Sequence, residues 1–100
     1  MNYSGKIYKV VSLIPKGRIT TYKQIAKLTG IKNPRLVGFI LHKNTDPKKI
    51  PCHRVIKSDG KLASGYAFGG LKKQKELLEK EGIRFLPNGK IALQKYLFNP

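Results

Sequence analysis

A chain of 100 residues with an apolar share of 40% is the size of one domain with one modest core, which excludes a large two-domain enzyme. Lys and Arg number 21 against 5 Asp and Glu, a net charge of +16 that points to a polyanionic partner, although a basic protein meeting acidic surfaces non-specifically, such as a ribosomal component, has the same balance. No run approaches the roughly 20 apolar residues of a membrane span, "MNYSGKIYKV" lacks a secretory segment, and one Cys with two His is poor in zinc ligands, so a cytoplasmic location (nuclear in a eukaryote), a free thiol and no metal are expected.

With no repeat or low-complexity tract, the chain reads as one unit. Ser4 is placed to cap a first helix in which Ile7, Val10, Val11 and Ile14 recur at helical spacing, and Pro15 with Gly17 stops it. In "TTYKQIAKLTG", Thr21 and Gln24 form a capping box, the helix body runs from Tyr22 to Thr29 with Ile25 and Leu28 inward, and Gly30 ends it. "IKNPRLVGFILHKN" follows at once: Asn33 caps, Pro34 takes the first helical position, and Leu36, Val37, Ile40 and Leu41 form an apolar stripe. Two short helices joined by a turn of about four residues make a helix-turn-helix pattern, moderately specific alone and weightier in so basic a chain.

From Lys48 the texture changes to a short β-prone run ended by Asp59-Gly60, then a glycine-rich loop where a site is expected. "LKKQKELLEKEG" predicts a helix with Leu71, Leu77 and Leu78 inward and Gly82 as its stop. "IRFLPNGKIAL" predicts a hairpin turning at Asn88-Gly89, and "YLFNP" reads as a loose tail.

Cys52 and His53 sit side by side in "IPCHRVI". A thiol attacks as thiolate, and His53, Arg54 and Lys57 offer a base and positive charge nearby. On a regular strand, however, the two side chains would point to opposite faces, so their coupling would need a bent backbone or a bridging water. A lone Cys among Ile50, Pro51, Val55 and Ile56 is more often a small buried hydrophobe than a catalyst. A Cys-His protease is a further reading, but adjacent Cys and His are unusual for that dyad.

Five segments in order, "GRITTYKQIAKLTG", "PRLVGFILHKN", "IPCHRVI", "GGLKKQKELL" and the glutamate of "EKEG", carry a resemblance to a family. From about Ile7 to Gly82 the chain resembles the C-terminal, DNA-binding domain of 6-O-alkylguanine-DNA alkyltransferase, or methylated-DNA-protein-cysteine methyltransferase. The resemblance implies a mainly α fold with short β elements, a winged-helix-like helix-turn-helix domain spanning 1–100 with no N-terminal domain. It also implies a monomer without a cofactor, acting on double-stranded DNA that contains 6-O-alkylguanine.

Carried over residue by residue, Cys52 would accept the alkyl group irreversibly, with His53 as base through a water and Glu81 orienting it. Asn44 would brace the turn before the cysteine, and Tyr22 would assist nucleotide rotation and hydrogen-bond the guanine oxygen. Arg35 would enter the base stack through the minor groove as the nucleotide flips out, an extrusion the chemistry requires because the alkylated oxygen lies inside the duplex. Thr21, Tyr22, Gly38, His42 and Arg54 would join Arg35 at the DNA, while Pro51, Val55, Tyr66, Gly69 and Gly70 would line the base pocket. The chain departs from the family in two places: Ala67 and Phe68 separate Tyr66 from the paired glycines, and His42 stands where many members have arginine. Alkyltransferase-like proteins resemble this chain in length but carry tryptophan in place of the cysteine and flag alkylated bases for nucleotide excision repair proteins. A non-catalytic role of that kind is the alternative reading.

Overall fold

A computed structural model describes residues 3–46, 48–62 and 69–98. Helix α1 (Tyr3–Ser12) buries Ile7 and Val11, with Ile14 buried just beyond its end. It begins before Ser4, which therefore lies in its first turn rather than at its cap.

Strand β1 (Thr20–Thr21) leads directly into α2 (Tyr22–Thr29), capped by the Thr21 side chain, which accepts from the Gln24 N–H at 3.1 Å. Gly30 closes α2 in the left-handed conformation at φ 78°, its N–H reaching the Ala26 carbonyl. Asn33 caps α3 (Pro34–His42) by accepting from the Arg35 N–H at 3.0 Å. Residues 30–33 thus form the turn of a helix-turn-helix, and the three helices close on one cluster that contains Ile25, Ala26, Val37 and Leu41. The inward stripes are narrower than their periodicity predicts: Leu28 and Leu36 are exposed. Helices this short, packed on one side, bury only the residues nearest their axis of contact.

A single 3₁₀ turn (Cys52–Arg54) precedes strand β2 (Val55–Ile56), which pairs in parallel with β1 in the register Thr20 to Val55 and Thr21 to Ile56. Successive strand residues face opposite ways, so Val55 joins the helical cluster and Ile56 a second one with Ile19, Leu78, Ile83, Ile91 and Tyr96. The little sheet is the seam between two cores.

Helix α4 (Gly70–Lys80) sends Leu78 and Gln74 inward; Leu77 is half-buried and Leu71, expected inside, is 48% exposed. The predicted hairpin is there in small form, with Leu86 and Lys90 hydrogen-bonded, Gly89 at φ 83° and one antiparallel bridge between Phe85 and Ile91. Tyr96, Leu97 and Phe98 correct the expectation of a loose tail, while Asn99 and Pro100 lie outside the described residues. Helix α5 (Leu93–Tyr96) is followed by Leu97, bridged in parallel to Ile19, with Ile19 donating to the Tyr96 carbonyl and Phe98 to the Ile19 carbonyl. Among the described residues no helix is long and apolar enough to cross a membrane.

Candidate active site and adjoining cleft

Three distant parts of the chain meet around Cys52: the end of α3, the 3₁₀ turn, and the C-terminus of α4. Pro51, at φ −76° and ψ 71°, makes an inverse γ-turn in which the Cys52 N–H donates to the Ile50 carbonyl at 2.7 Å. Proline suits the position because its ring fixes φ there. Buried Asn44 donates from Nδ2 to the same carbonyl at 2.9 Å, approaches Cys52 Sγ at 3.5 Å, and accepts from the Asp46 N–H at 2.9 Å. One amide therefore holds both the backbone before the cysteine and its sulfur.

The 3₁₀ turn supplies the bent backbone that coupling of Cys52 and His53 needs. At three residues per turn, adjacent side chains diverge by about 120° rather than opposing each other. His53 Nε2 lies 2.8 Å from Glu81 Oε2. Arg54 grips the same carboxylate as a fork, Nε to Oε1 and Nη2 to Oε2, both at 2.8 Å, and Nη1 donates to the Ile14 carbonyl at 2.8 Å. The Arg54 and Glu81 side chains are only 16% and 10% exposed. Glu81 ends α4 where the chain passes close to Gly17: a Cβ on Gly17, at φ 85°, would stand 3.3 Å from the Glu81 carbonyl.

Burial pushes the Cys52 thiol above its ordinary value, opposed by the Asn44 hydrogen bond, so the thiol needs a base at neutral pH. Burial lowers His53, with Glu81 pulling the other way, so the imidazole is neutral at pH 7. A neutral ring donating from Nε2 to the carboxylate carries its basic lone pair on Nδ1. Burial alone would raise Glu81, but the Arg54 and His53 hydrogen bonds outweigh it and hold the carboxyl below its usual range. Tyr22 is raised to about 12, first by burial and then by the proximity of Cys52, so its phenol stays a donor.

The two depressed groups set a stability profile. The unfolded chain takes up a proton at His53 below the ordinary 6.5, whereas the folded chain does so only at lower pH. Stability is therefore expected to fall from about pH 6.5 downward, and to fall again as acid passes the ordinary 4.5 of Glu81 and reaches its depressed folded value. Urea midpoints across this range check it: His53→Gln is expected to remove the upper step and leave the lower, and a wild-type midpoint that is flat below pH 6.5 contradicts the assignment.

Sequence reasoning passes over Gln74. It is 1% exposed, and its Nε2 donates to the carbonyls of His53 at 3.0 Å and Val55 at 3.2 Å, clamping the active turn to α4. The amide orientation follows from those two acceptors, which leave Oε1 without a partner among the described residues. A lone glutamine amid lysines on a predicted helix is the faint signal that was available.

Beside this site a cleft of about 740 Å³ is lined by Tyr22, Lys23, Arg35, Gly38, Phe39 and His42 from the helix-turn-helix and by Lys57, Ser58, Leu62 and Leu71 opposite. Tyr22, Arg35, Gly38 and His42 thus gather along one cleft. Tyr22 connects the two regions, lining the cleft while packing on the cluster that holds Cys52. Three expectations do not fit the geometry. Thr21 is buried with its hydroxyl committed to the α2 cap, Arg54 points inward to Glu81 and Ile14, and Val55 is wholly buried in the helical core, so none of these side chains faces DNA or a base pocket. Pro51 is likewise buried, with its part in the backbone turn. Gly69 and Gly70 stand at the start of α4 with φ 127° and 72°, and a Cβ on Gly69 would lie 2.6 Å from that of Lys73. Tyr66, with Ala67 and Phe68, lies outside the described residues.

Residues 2–83 match the family described as 6-O-methylguanine DNA methyltransferase, DNA binding domain. A methylated-DNA–protein-cysteine methyltransferase of Methanothermobacter thermautotrophicus is 47% identical over 81 residues, covering 81% of this chain and 44% of that protein. A DNA base-flipping protein of Vibrio parahaemolyticus is 42% identical over 96 residues, covering 95% of this chain and 94% of that one. Among solved structures, S. pombe Atl1 in complex with damaged DNA containing O6-carboxymethylguanine superposes with a TM-score of 0.84 at 32% identity, covering 98% of this chain and 95% of the other. Mycobacterium tuberculosis OGT in complex with DNA gives 0.75 at 34% identity, covering 82% of this chain and 49% of the other. The chain thus spans about half or less of the methyltransferases it matches and nearly all of the base-flipping protein and Atl1. It belongs to the 6-O-methylguanine DNA methyltransferase family through that family's DNA-binding domain.

Proposed function

We propose that the chain is a DNA repair protein that takes the alkyl group of 6-O-alkylguanine from duplex DNA onto Cys52, once per molecule. The observation that carries this reading is the pair of hydrogen-bonded sets that meet at the 3₁₀ turn, Asn44 to Cys52 Sγ and, from the next two residues, His53 and Arg54 to Glu81. The Asn44 hydrogen bond opposes the burial that raises the thiol, and a neutral His53 held by Glu81 is a base to take its proton.

In the proposed reaction a water carries the Cys52 proton to His53, and the resulting imidazolium is held by the Glu81 carboxylate. The thiolate attacks the alkyl carbon in line, the S–C bond forms as the C–O bond breaks, and the electron pair passes to the guanine oxygen. Tyr22 steadies that oxygen by its O–H, and the proton lost by the thiol is balanced by one gained on the guanine. A thioether is not hydrolysed under physiological conditions, so Cys52 stays alkylated. The basic cleft, with Lys23, Arg35 and Lys57 on its walls, is the proposed seat of the DNA backbone, and Arg35 the residue that fills the gap left by the extruded nucleotide.

The near full-length match to a base-flipping protein and to Atl1 favours a second reading, in which the chain binds the alkylated base without transfer and hands it to nucleotide excision repair proteins. Intact mass measurement after mixing with a 6-O-methylguanine duplex separates the two. Wild type is expected to gain one methyl group and Cys52→Ser none, with lesion binding retained in both. Tight lesion binding by a wild type that gains no mass establishes the second reading instead.

A further inference from the structure

Helix α3 presents Arg35, Gly38, Phe39 and His42 as one stripe at helical spacing, and all four line the cleft. Phe39 is the anomaly among them. Its ring is 59% exposed in a wall whose charged members, Lys23, Arg35 and Lys57, are all basic, with no acidic residue among the described lining. Attraction of a polyanion requires the cations but not a phenyl group, and burial in the core cannot explain the ring, because Val37 and Leu41 on the other side of the helix serve the core. The ring is also held in place: Lys43 Nζ sits 4.4 Å from its centroid, a cation–π contact that covers part of one face. Gly38 beside it lies next to Tyr22: a Cβ there would rest in ordinary contact with Tyr22 Cε1 at 3.6 Å.

DNA is a partner that offers both halves of this surface, phosphates for the cations and flat base or sugar faces for the ring. Phe39 follows Arg35 by four residues, about 6 Å along the helix, which is just under two base steps of roughly 3.4 Å each. Both side chains can therefore address one interrupted stretch of the stack. We propose that Phe39 is a second insertion residue, one helical turn beyond Arg35, which lies against the base stack opened by nucleotide extrusion and supplies the apolar part of lesion capture. The inference rests on the reading of this cleft as a DNA seat and adds to it the residue that makes the non-ionic contact.

The test uses the full chain and duplexes with and without 6-O-methylguanine, each carrying 2-aminopurine next to the target position, titrated at several salt concentrations. Phe39→Ala is expected to weaken binding to the lesion duplex roughly tenfold with an unchanged slope of affinity against salt, and to reduce the brightening of 2-aminopurine that reports unstacking. Phe39→Tyr, which keeps a ring, is expected to behave like wild type. Arg35→Ala serves as the ionic comparator and should lower the salt slope by about one. Because Phe39 is exposed, the thermal midpoint of Phe39→Ala should match wild type, so a binding loss is not a folding loss. The proposal is overturned if Phe39→Ala binds within twofold of wild type with full brightening, if its loss comes with a changed salt slope, or if its effect is confined to self-association of the protein. A wild type that shows no preference for the lesion removes the repair reading but not this one; the undamaged duplex then decides, and an equal affinity of Phe39→Ala for it overturns the ring's role as well.

Discussion

Glu81→Ala is expected to lower stability by about 3 kcal/mol and to slow methyl transfer by on the order of a hundredfold or more. The carboxylate takes both forks of Arg54 and the ring N–H of His53, all at 2.8 Å, in surroundings where neither partner has ready access to water. Removing it leaves a guanidinium with two unmatched donors beside the core and an imidazole with nothing to fix its tautomer or receive its charge. Stability and chemistry are separable here. Adding Arg54→Met to Glu81→Ala removes the stranded charge, so the double variant should recover most of the lost stability while transfer stays slow. Urea midpoints and single-turnover rates on a methylated duplex measure the two effects. Recovery of the rate along with the stability would show that Glu81 acts through the fold alone.

Asn44→Ala is expected to move the Cys52 thiol further above its ordinary value, because the Asn44 hydrogen bond is what opposes burial there. Two other consequences follow from the same amide. The Ile50 carbonyl keeps the Cys52 N–H but loses its second donor, and the Asp46 N–H loses its acceptor, which together cost about 1–3 kcal/mol. The pH profile of iodoacetamide labelling reads the thiol directly, since Cys52 is the single cysteine of the chain. The variant's profile should shift to higher pH, and its methyl transfer should slow at neutral pH by the same factor. A thiol profile that coincides with wild type would mean that Asn44 braces the backbone and nothing more.

Caps and breakers were the most legible part of the fold. Thr21, Gly30, Asn33 and Pro34 act within two or three residues of themselves, so their local geometry follows from residue type, and the helix-turn-helix they bound was readable in advance. The inner faces were less so. Leu28, Leu36 and Leu71 fit the periodic patterns but lie on the margins of packing surfaces that only the neighbouring elements define. The tail from Tyr96 was misread for a similar reason: Leu97 is ordered by a backbone partner at Ile19, and nothing in "YLFNP" itself encodes that pairing.

The candidate site divides along the same line. Its ingredients, a cysteine beside a histidine after proline and a glutamate before glycine, were present as motifs, and their order along the chain carried the family resemblance. Arg54, expected at the DNA, is instead the counterweight of Glu81; Gln74 and Phe39, for which the sequence raised no expectation, clamp the active turn and face the cleft.

For α1 to α4, the residues alone tell that a helix forms, about where it stops and which side chains are available for chemistry, since these depend on bonds and contacts within a few residues. The state of those side chains depends on the assembled fold. The raised thiol, the neutral histidine and the ionised glutamate arise from burial and from partners 8, 28 and 27 residues away, and the electrostatics of a buried group is set by whatever the fold brings against it.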